Sequence, residues 1–157
     1  MTRTARRAPA NGPIKLRTAS TAIQPRRNAA RKRVLTSGKA AEPIGPYSQG
    51  IQAGPFVFVA GEKGVDVTTG KVVPGGIGPE TRQTLENIKA ILAEAGATLD
   101  DAVAATVHMT DLEEFEQMNE VFAEYFRRDP PGRTTVQVSA LPAGASVEIT
   151  VVAIAPA

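Results

Sequence analysis

The chain has 157 residues, of which 42% are hydrophobic, so it is long enough for one core and gives no reason to expect two. Its net charge of +2 conceals an asymmetry. Residues 1–41 carry eleven Lys or Arg and no acid, whereas the remainder carries seven basic and sixteen acidic residues, a net charge of −9. Cysteine is absent, which excludes disulfides and thiolate chemistry. An acidic body disfavours nucleic acid, and no apolar run is long enough to predict a membrane span.

The N-terminal segment, residues 1–37, is rich in Arg, Ala, Ser, Thr and Pro. This composition predicts a disordered basic extension before a domain at 38–157. The extension is a transit peptide, a basic arm for nucleic acid or acidic surfaces, or an over-long gene model. The last is favoured because the domain pattern begins near Val34, and valine can be encoded by an alternative start codon. We expect a cytoplasmic protein, or an organellar one if the extension is a transit peptide.

The first half of the domain predicts two strands, a helix and a third strand. The run FVFVA at 56–60 is typical of a buried strand, and 48–53 is expected to pair with it across Gly54-Pro55. Residues 79–95 place apolar side chains at helical spacing. Residues 102–110 alternate as a half-buried strand, with Val103 on the same side as Ala105, Val107 and Met109.

The second half predicts a helix capped by Asp111, followed by strands at 133–141 and 147–154. Two helices cannot cover both faces of a sheet of five or six strands. The sequence therefore predicts an α+β fold with both helices on one face of the sheet.

Strand parity predicts what lies on the other face. Arg133 and Thr135 alternate with Val136 and Val138, and Glu148 alternates with the apolar residues of its strand. We expect Arg133 and Glu148 to share the second face. That face is semi-polar with apolar patches, which predicts a homo-oligomer.

Arg133 is the strongest candidate for function. It begins a strand directly after Pro130-Pro131-Gly132, in a segment with no other charge before Glu148. A guanidinium offers a planar fork that matches a carboxylate, so the prediction is an anion anchor. The alternative is a structural salt bridge, for example to Glu148. Glu148 itself either orients water as an acid or base, or faces solvent on an edge strand.

Other signals are weaker. His108 is the only histidine and has no cluster of metal-ligating residues around it in sequence, so no metal or cofactor is expected. The glycines at 75, 76 and 78 lack the spacing of a phosphate-binding loop and predict a turn. Tyr47 lies in a tight loop, where it closes over a ligand or merely packs. Asn119 lies one step off an apolar stripe, and its simplest interpretation is a surface residue without a role.

Five motifs occur together and in order: IGPYSQG at 44–50, FVFVAGEKG at 56–64, TRQTLENIKAILAEAGATLDD at 81–101, MTDLEEFEQMNEVFAEYF at 109–126, and PGRTTVQV at 131–138 followed by VEI. In these the chain resembles the RidA family, also called YjgF/YER-type or 2-iminobutanoate/2-iminopropanoate deaminases. The resemblance covers Val34 to Ala157.

The resemblance implies a chorismate-mutase-like α+β fold and a homotrimer with three sites at subunit interfaces. It implies hydrolytic deamination of reactive 2-imino acids and their enamines to 2-oxo acids and ammonium, without a metal or cofactor. By the same resemblance Arg133 binds the substrate carboxylate and Glu148 helps to position water. Four more residues are then expected to line the pocket: Tyr47, Gly61, Asn119 and Thr135.

The chain departs from the family pattern where Ala60 replaces a frequent serine, where Gly132 replaces an alanine, and where AGEKG replaces an SGQIP-like sequence. Loss of the hydroxyl at Ala60 is expected to shift substrate preference. Two alternative functions stay open. One is a non-catalytic ligand-binding or chaperone-like trimer. The other is an RNA-directed, endoribonuclease-type activity, against which the acidic domain and the lack of a histidine pair argue.

Overall fold

The structure is a computed structural model that describes residues 32–156. This part of the chain contains the helices α1 (Ile77–Ala93) and α2 (Phe115–Tyr125). Its strands are β1 (Arg33–Leu35), β2 (Gly50–Ala53), β3 (Phe56–Lys63), β4 (Ala102–Met109), β5 (Gly132–Gln137) and β6 (Val147–Ile154). No helix in this range is long and apolar enough to cross a membrane.

The strands form one mixed sheet in the order β1-β2-β3-β6-β4-β5. β4 and β5 run parallel, and the other neighbouring pairs are antiparallel. β6 lies between β3 and β4, so most of its residues have a partner on either side. Glu148 of β6 is opposite Lys63 on β3 and opposite His108 on β4. The chain thereby brings three distant ionisable side chains into one row.

The helices cover one face of the sheet and close the core against it. The apolar stripe of α1 is fully buried, as predicted from its spacing: Leu85, Ile88, Ile91 and Leu92. Alternate residues of the central strands meet it: Val57, Val59, Val107, Ile149 and Val151. Two glycines with positive φ, Gly75 and Gly76, turn the chain into α1. The predicted α+β class, with a mixed sheet and two helices, is confirmed.

Strand β1 corrects the predicted start of the domain. Leu35 is only 1% exposed and belongs to the core. Ser37 donates its backbone N–H to Gln49 Oε1 at 2.7 Å, and Gln49 donates through Nε2 to the carbonyls of Ser37 and Ala41. Residues 33–37 are therefore folded, and their assignment to the extension was wrong. A three-residue strand with one buried side chain is too short to show a periodicity. The prediction for residues 1–31 lies outside the described residues.

Bulges alter two of the predicted strands. On β3 the register against β6 shifts between Val59 and Glu62, which carries the strand three residues beyond its predicted end at Ala60. On β4 the register shifts between Ala102 and Ala104. Val103 is the extra residue there and is exposed, so its predicted place on the buried side was wrong.

The face away from the helices is open in the single chain, and it carries large apolar side chains that are exposed: Phe56, Phe58, Val136 and Ile154. Strand β5 sits with the opposite parity from that predicted. Arg133 is opposite Ala105 and Thr135 is opposite Val107, both of which are buried on the helix side. β5 is an edge strand, and the helices cover its side of the sheet only in part. Polar side chains can therefore lie on the helix side of β5, while Val136 lies on the open side.

The role of β1 can be tested by truncating its one buried side chain. Leu35→Ala should lower the free energy of unfolding by about 2 to 4 kcal/mol, because it opens a cavity in the core. Val34→Ala, at an exposed neighbouring position, is the matched control and should cost much less. Urea unfolding at one protein concentration measures both. Equal effects of the two variants would show that β1 is not part of the cooperative domain.

Candidate active site

Arg133 is held against α2 by two kinds of contact. Its guanidinium carbon lies 4.6 Å from the ring centroid of Phe122 and 5.6 Å from that of Phe115. Its Nη2 donates a hydrogen bond to Asn119 Oδ1 at 2.6 Å. Cation–π contacts and a charge-assisted hydrogen bond fix the plane of the guanidinium. The structure thus brings Asn119 into direct contact with Arg133. The alternative interpretation from the sequence was that Asn119 is a plain surface residue.

The charge of Arg133 has no acidic partner in the described part of the chain, residues 32–156. The side chain is half-buried, and burial lowers the pKa of Arg133 from its ordinary value. An arginine nevertheless keeps its proton in proteins, so a fixed positive charge remains. The alternative of a salt bridge to Glu148 within one chain is wrong. Most of the guanidinium donors remain available for an anion.

Thr135 lies two residues along β5 on the same side as Arg133. Its hydroxyl oxygen is buried and has no hydrogen-bond partner among the described residues. A buried hydroxyl without a partner is costly, and it is satisfied when a ligand supplies the partner. Arg133, Asn119 and Thr135, which we call the arginine group, therefore form a small polar patch beside α2.

Glu148 lies on the other side of the sheet. Its Oε2 is 3.3 Å from Lys63 Nζ, and its Oε1 is 4.0 Å from His108 Nδ1. Since the flanking residues Val147 and Ile149 are buried on the helix side, Glu148 points to the open face. It is neither an isolated buried acid nor an edge residue, because β6 is central.

Gly61 makes the position of Glu148 possible. A Cβ atom on Gly61 would come within 2.7 Å of the Glu148 carboxyl carbon and of its Oε1. No side chain fits there without moving the carboxylate. Gly61 therefore allows the observed position of the Glu148 carboxylate through close approach, and its backbone conformation does not demand glycine.

Tyr47 lies beside this group at the edge of a cavity of about 240 Å³, which Gly61 and Lys63 also line. Its hydroxyl accepts a hydrogen bond from the backbone N–H of Ile44 at 3.2 Å, which closes the 44–47 loop on itself. The remaining wall of the cavity is largely apolar and includes Pro43, Val65 and Val67. We call Tyr47, Gly61, Lys63 and Glu148 the glutamate group.

The six predicted site residues therefore fall into two groups on opposite faces of the sheet. The arginine group contains Arg133, Asn119 and Thr135, and the glutamate group contains Tyr47, Gly61 and Glu148. The prediction that Arg133 shares a face with Glu148 was wrong, because β5 has the reverse parity. Within one chain the predicted residues therefore form two separate groups rather than one site.

Two ionisable residues beside Glu148 were missed as candidates. The sequence AGEKG was noticed only as a departure from a family pattern, yet Glu62 and Lys63 are 6% and 8% exposed. Burial raises the pKa of Glu62 to about 7, the lysine lowers it in part, and Glu148 raises it further. Consecutive opposite charges at the end of a buried strand, next to Gly61, were the signal available in the sequence.

Among residues 32–156 no group of three or more His, Cys, Asp or Glu side chains is arranged to hold a metal ion. His108 faces the open side, and its Nδ1 is buried without a hydrogen-bond partner in this part of the chain. It therefore belongs with Glu148 as a neighbouring polar group and not with a ligand set.

The fold and the two groups define a one-domain α+β protein whose sheet has one covered and one open face. A family model described as Endoribonuclease L-PSP matches residues 37–155. The RutC family protein of Pyrococcus abyssi is 49% identical over 122 residues, which are 78% of this chain and 96% of that protein. The chain belongs to the RidA/YjgF family, as its motifs predicted.

Two further relatives carry more specific descriptions. The 2-iminobutanoate/2-iminopropanoate deaminase of Mus musculus is 38% identical over 123 residues, which are 78% of this chain and 91% of that protein. The crystal structure of E. coli TdcF with bound serine is similar with a TM-score of 0.75 at 36% identity, over 78% of this chain and 98% of that one. These similarities agree with the fold along the whole of the domain.

The buried carboxyl of Glu62 predicts a pH-dependent stability. Its pKa of about 7 lies above the ordinary value of 4.5, so the folded state binds this proton more tightly than the unfolded state. The free energy of unfolding should therefore fall as the pH rises from about 4.5 to 7 and stay level above that. Glu62→Gln removes the effect and should stabilise the protein at pH 8 by up to roughly 3 kcal/mol.

Urea unfolding at pH 4.5 and pH 8, at fixed protein concentration, measures this difference. Glu116→Gln, at an exposed position on α2, is the control and should leave the pH dependence unchanged. The assignment of a buried, protonated Glu62 would be contradicted if Glu62→Gln raised the free energy of unfolding, relative to the wild-type protein, no more at pH 8 than at pH 4.5.

Proposed function

We propose that the protein hydrolyses 2-imino acids to 2-oxo acids and ammonium. The observation that carries the proposal is Arg133, a half-buried guanidinium fixed by Phe122 and Asn119, without an acidic partner within residues 32–156. Every 2-imino acid carries a carboxylate next to the reacting carbon. A guanidinium that binds this carboxylate places the C=N group at a defined distance from the protein.

The relatives support this substrate class. A relative of 38% identity is named a 2-iminobutanoate/2-iminopropanoate deaminase, and a relative of known structure binds serine, an amino acid with the same α-carboxylate. The relatives from Pyrococcus carry only the name RutC family protein, at 49% identity. The activity on imino acids is therefore our proposal for this chain, and the family membership is its background.

We propose further that the site is completed in a homotrimer, in which the arginine group of one subunit meets the glutamate group of its neighbour. The two groups lie on opposite faces of one sheet, so no motion of side chains within a chain brings Arg133 to Glu148. The open face carries exposed apolar side chains, including Phe58 and Ile154. Burial of this face against another copy would remove it from water and place Glu148 at an interface.

The reaction requires little more than orientation. A protonated imine is already electrophilic, so water adds to its carbon, and the C–N bond then breaks to give a ketone and ammonium. The iminium ion and one water contain all the atoms of the two products. Arg133 holds the carboxylate, and Glu148 accepts a hydrogen bond from the attacking water and takes its proton. Glu148 then returns this proton to the nitrogen as the C–N bond breaks, which regenerates the carboxylate. Thr135 supplies a hydroxyl to the ligand bound by Arg133.

An RNA-directed activity is the second candidate, because the matching family model is described as an endoribonuclease. The net charge of −9 after residue 41 disfavours it, since binding of a phosphate backbone depends on clustered Lys and Arg. Both activities can be measured on the same protein preparations.

Arg133→Ala should lower kcat/KM for 2-iminobutanoate, generated enzymatically in the assay, by about tenfold to a hundredfold. The loss corresponds to one charge-assisted hydrogen bond to a carboxylate, which contributes about 1.5 to 3 kcal/mol. The kcat/KM of Arg133→Lys should lie between those of the wild-type protein and Arg133→Ala, because lysine keeps the positive charge and loses the planar pair of donors. Arg128→Ala removes an exposed arginine near α2 and is the matched control. The assay follows loss of the imine and formation of ammonium.

Wild-type rates from Arg133→Ala would overturn the proposed mechanism. If RNA is cleaved by the wild-type protein, and 2-iminobutanoate is not hydrolysed faster than in buffer, the second candidate replaces the first. Binding of a 2-oxo acid without any turnover would instead identify a ligand-binding protein.

A further inference from the structure

Lys63 occupies an unusual position for a lysine, since it ends the inner strand β3 and is only 8% exposed. Its Nζ donates to the carbonyl of Gly61 at 3.0 Å and to Glu148 Oε2 at 3.3 Å. An ammonium group is costly to bury and is retained only where it has partners. Both of its partners belong to the predicted site.

The backbone around Lys63 is anchored from the core. Asn87 of α1 is fully buried, and its Nδ2 donates to the carbonyls of Lys63 and Val65 at 3.0 and 2.9 Å. Gln83 donates to Asn87 Oδ1 at 2.9 Å and fixes the orientation of the amide. The lysine is thus presented by a rigid segment and not by a mobile surface loop.

Glu148 meets charged or titratable groups from both neighbouring strands. β3 contributes Lys63 and Glu62, and β4 contributes His108. Its two carboxylate oxygens are in different surroundings. Oε2 accepts from the lysine, whereas Oε1 has no bond to a protein donor among the described residues and is 4.0 Å from the imidazole.

From this geometry we infer that Lys63 is a positioning residue for Glu148. Its ammonium group holds Oε2 of the carboxylate, so that Oε1 is left to receive the attacking water. The inference rests on the proposed function.

The direct test measures the surroundings of the Glu148 carboxylate without reference to activity. Carboxyl carbons of protein labelled with ¹³C-glutamate are observed by NMR at one fixed pH, and the Glu148 signal is assigned by its absence in Glu148→Gln. Lys63→Met keeps the aliphatic stem and removes the ammonium donor. The Glu148 carboxyl signal should then shift, whereas Lys63→Arg, which keeps a charged donor, should leave it nearer its original position.

The same variants are assayed for hydrolysis of 2-iminobutanoate. Lys63→Met should lower kcat by about tenfold, the effect of losing a hydrogen bond to a charged group, and should leave KM nearly unchanged because Arg133 still binds the substrate carboxylate. Lys63→Arg should restore part of kcat. Lys89→Met removes an exposed lysine that pairs with Glu86, and it should change neither the Glu148 signal nor kcat. If Lys63→Met does not fold, judged by circular dichroism, Lys63→Gln takes its place.

An unchanged Glu148 signal in Lys63→Met overturns the inference, whether or not the protein hydrolyses imines. A shifted signal with an unchanged kcat also overturns it, because Lys63 then holds Glu148 without controlling the reaction. A protein that fails to hydrolyse any imine overturns the proposed function instead, and is recognised by inactivity of the unsubstituted chain.

Discussion

The pleat of a β-strand points successive side chains to opposite faces, and this constraint governs how the protein can form a site. Arg133 lies opposite Ala105 on the helix-covered face, while Glu148 lies opposite His108 on the open one. The sheet itself separates the two groups. We therefore propose that any chemistry they share joins two copies of the chain, and an open face with exposed aromatic side chains supports this.

The general fold could be predicted from the sequence because its signals are periodic and long. The buried stripe of α1 follows from helical spacing alone, and β6 follows from strict alternation. β1 could not be found in this way, since its three residues bury one leucine. The parity of β5 failed for a different reason. An edge strand with a partly open helix side can bury an arginine against aromatic rings, and hydrophobic patterning then assigns the faces in reverse.

The identity of the site residues was more predictable than their arrangement. Arg133 was prominent because no other charge lies between it and Glu148, and the motifs added Asn119 and Thr135, which the structure places beside it. Lys63 escaped notice because a lysine in a strand is normally solvated. Its burial depends on a carboxylate that lies 85 positions later in the chain, and no local pattern reports such a pair. The glutamate group of this protein thus contains a cation in place of the apolar residue of an SGQIP-like sequence.

A mixing experiment tests the central claim that each site draws on two subunits. Arg133→Ala and Glu148→Gln proteins, each expected to be strongly impaired, are co-refolded in equal amounts. If Arg133 and Glu148 come from neighbouring subunits, about one quarter of the sites in randomly mixed trimers regain both groups, and the mixture recovers about a quarter of wild-type imine hydrolysis. A mixture that assembles into mixed trimers but is no more active than its parent variants would contradict the account.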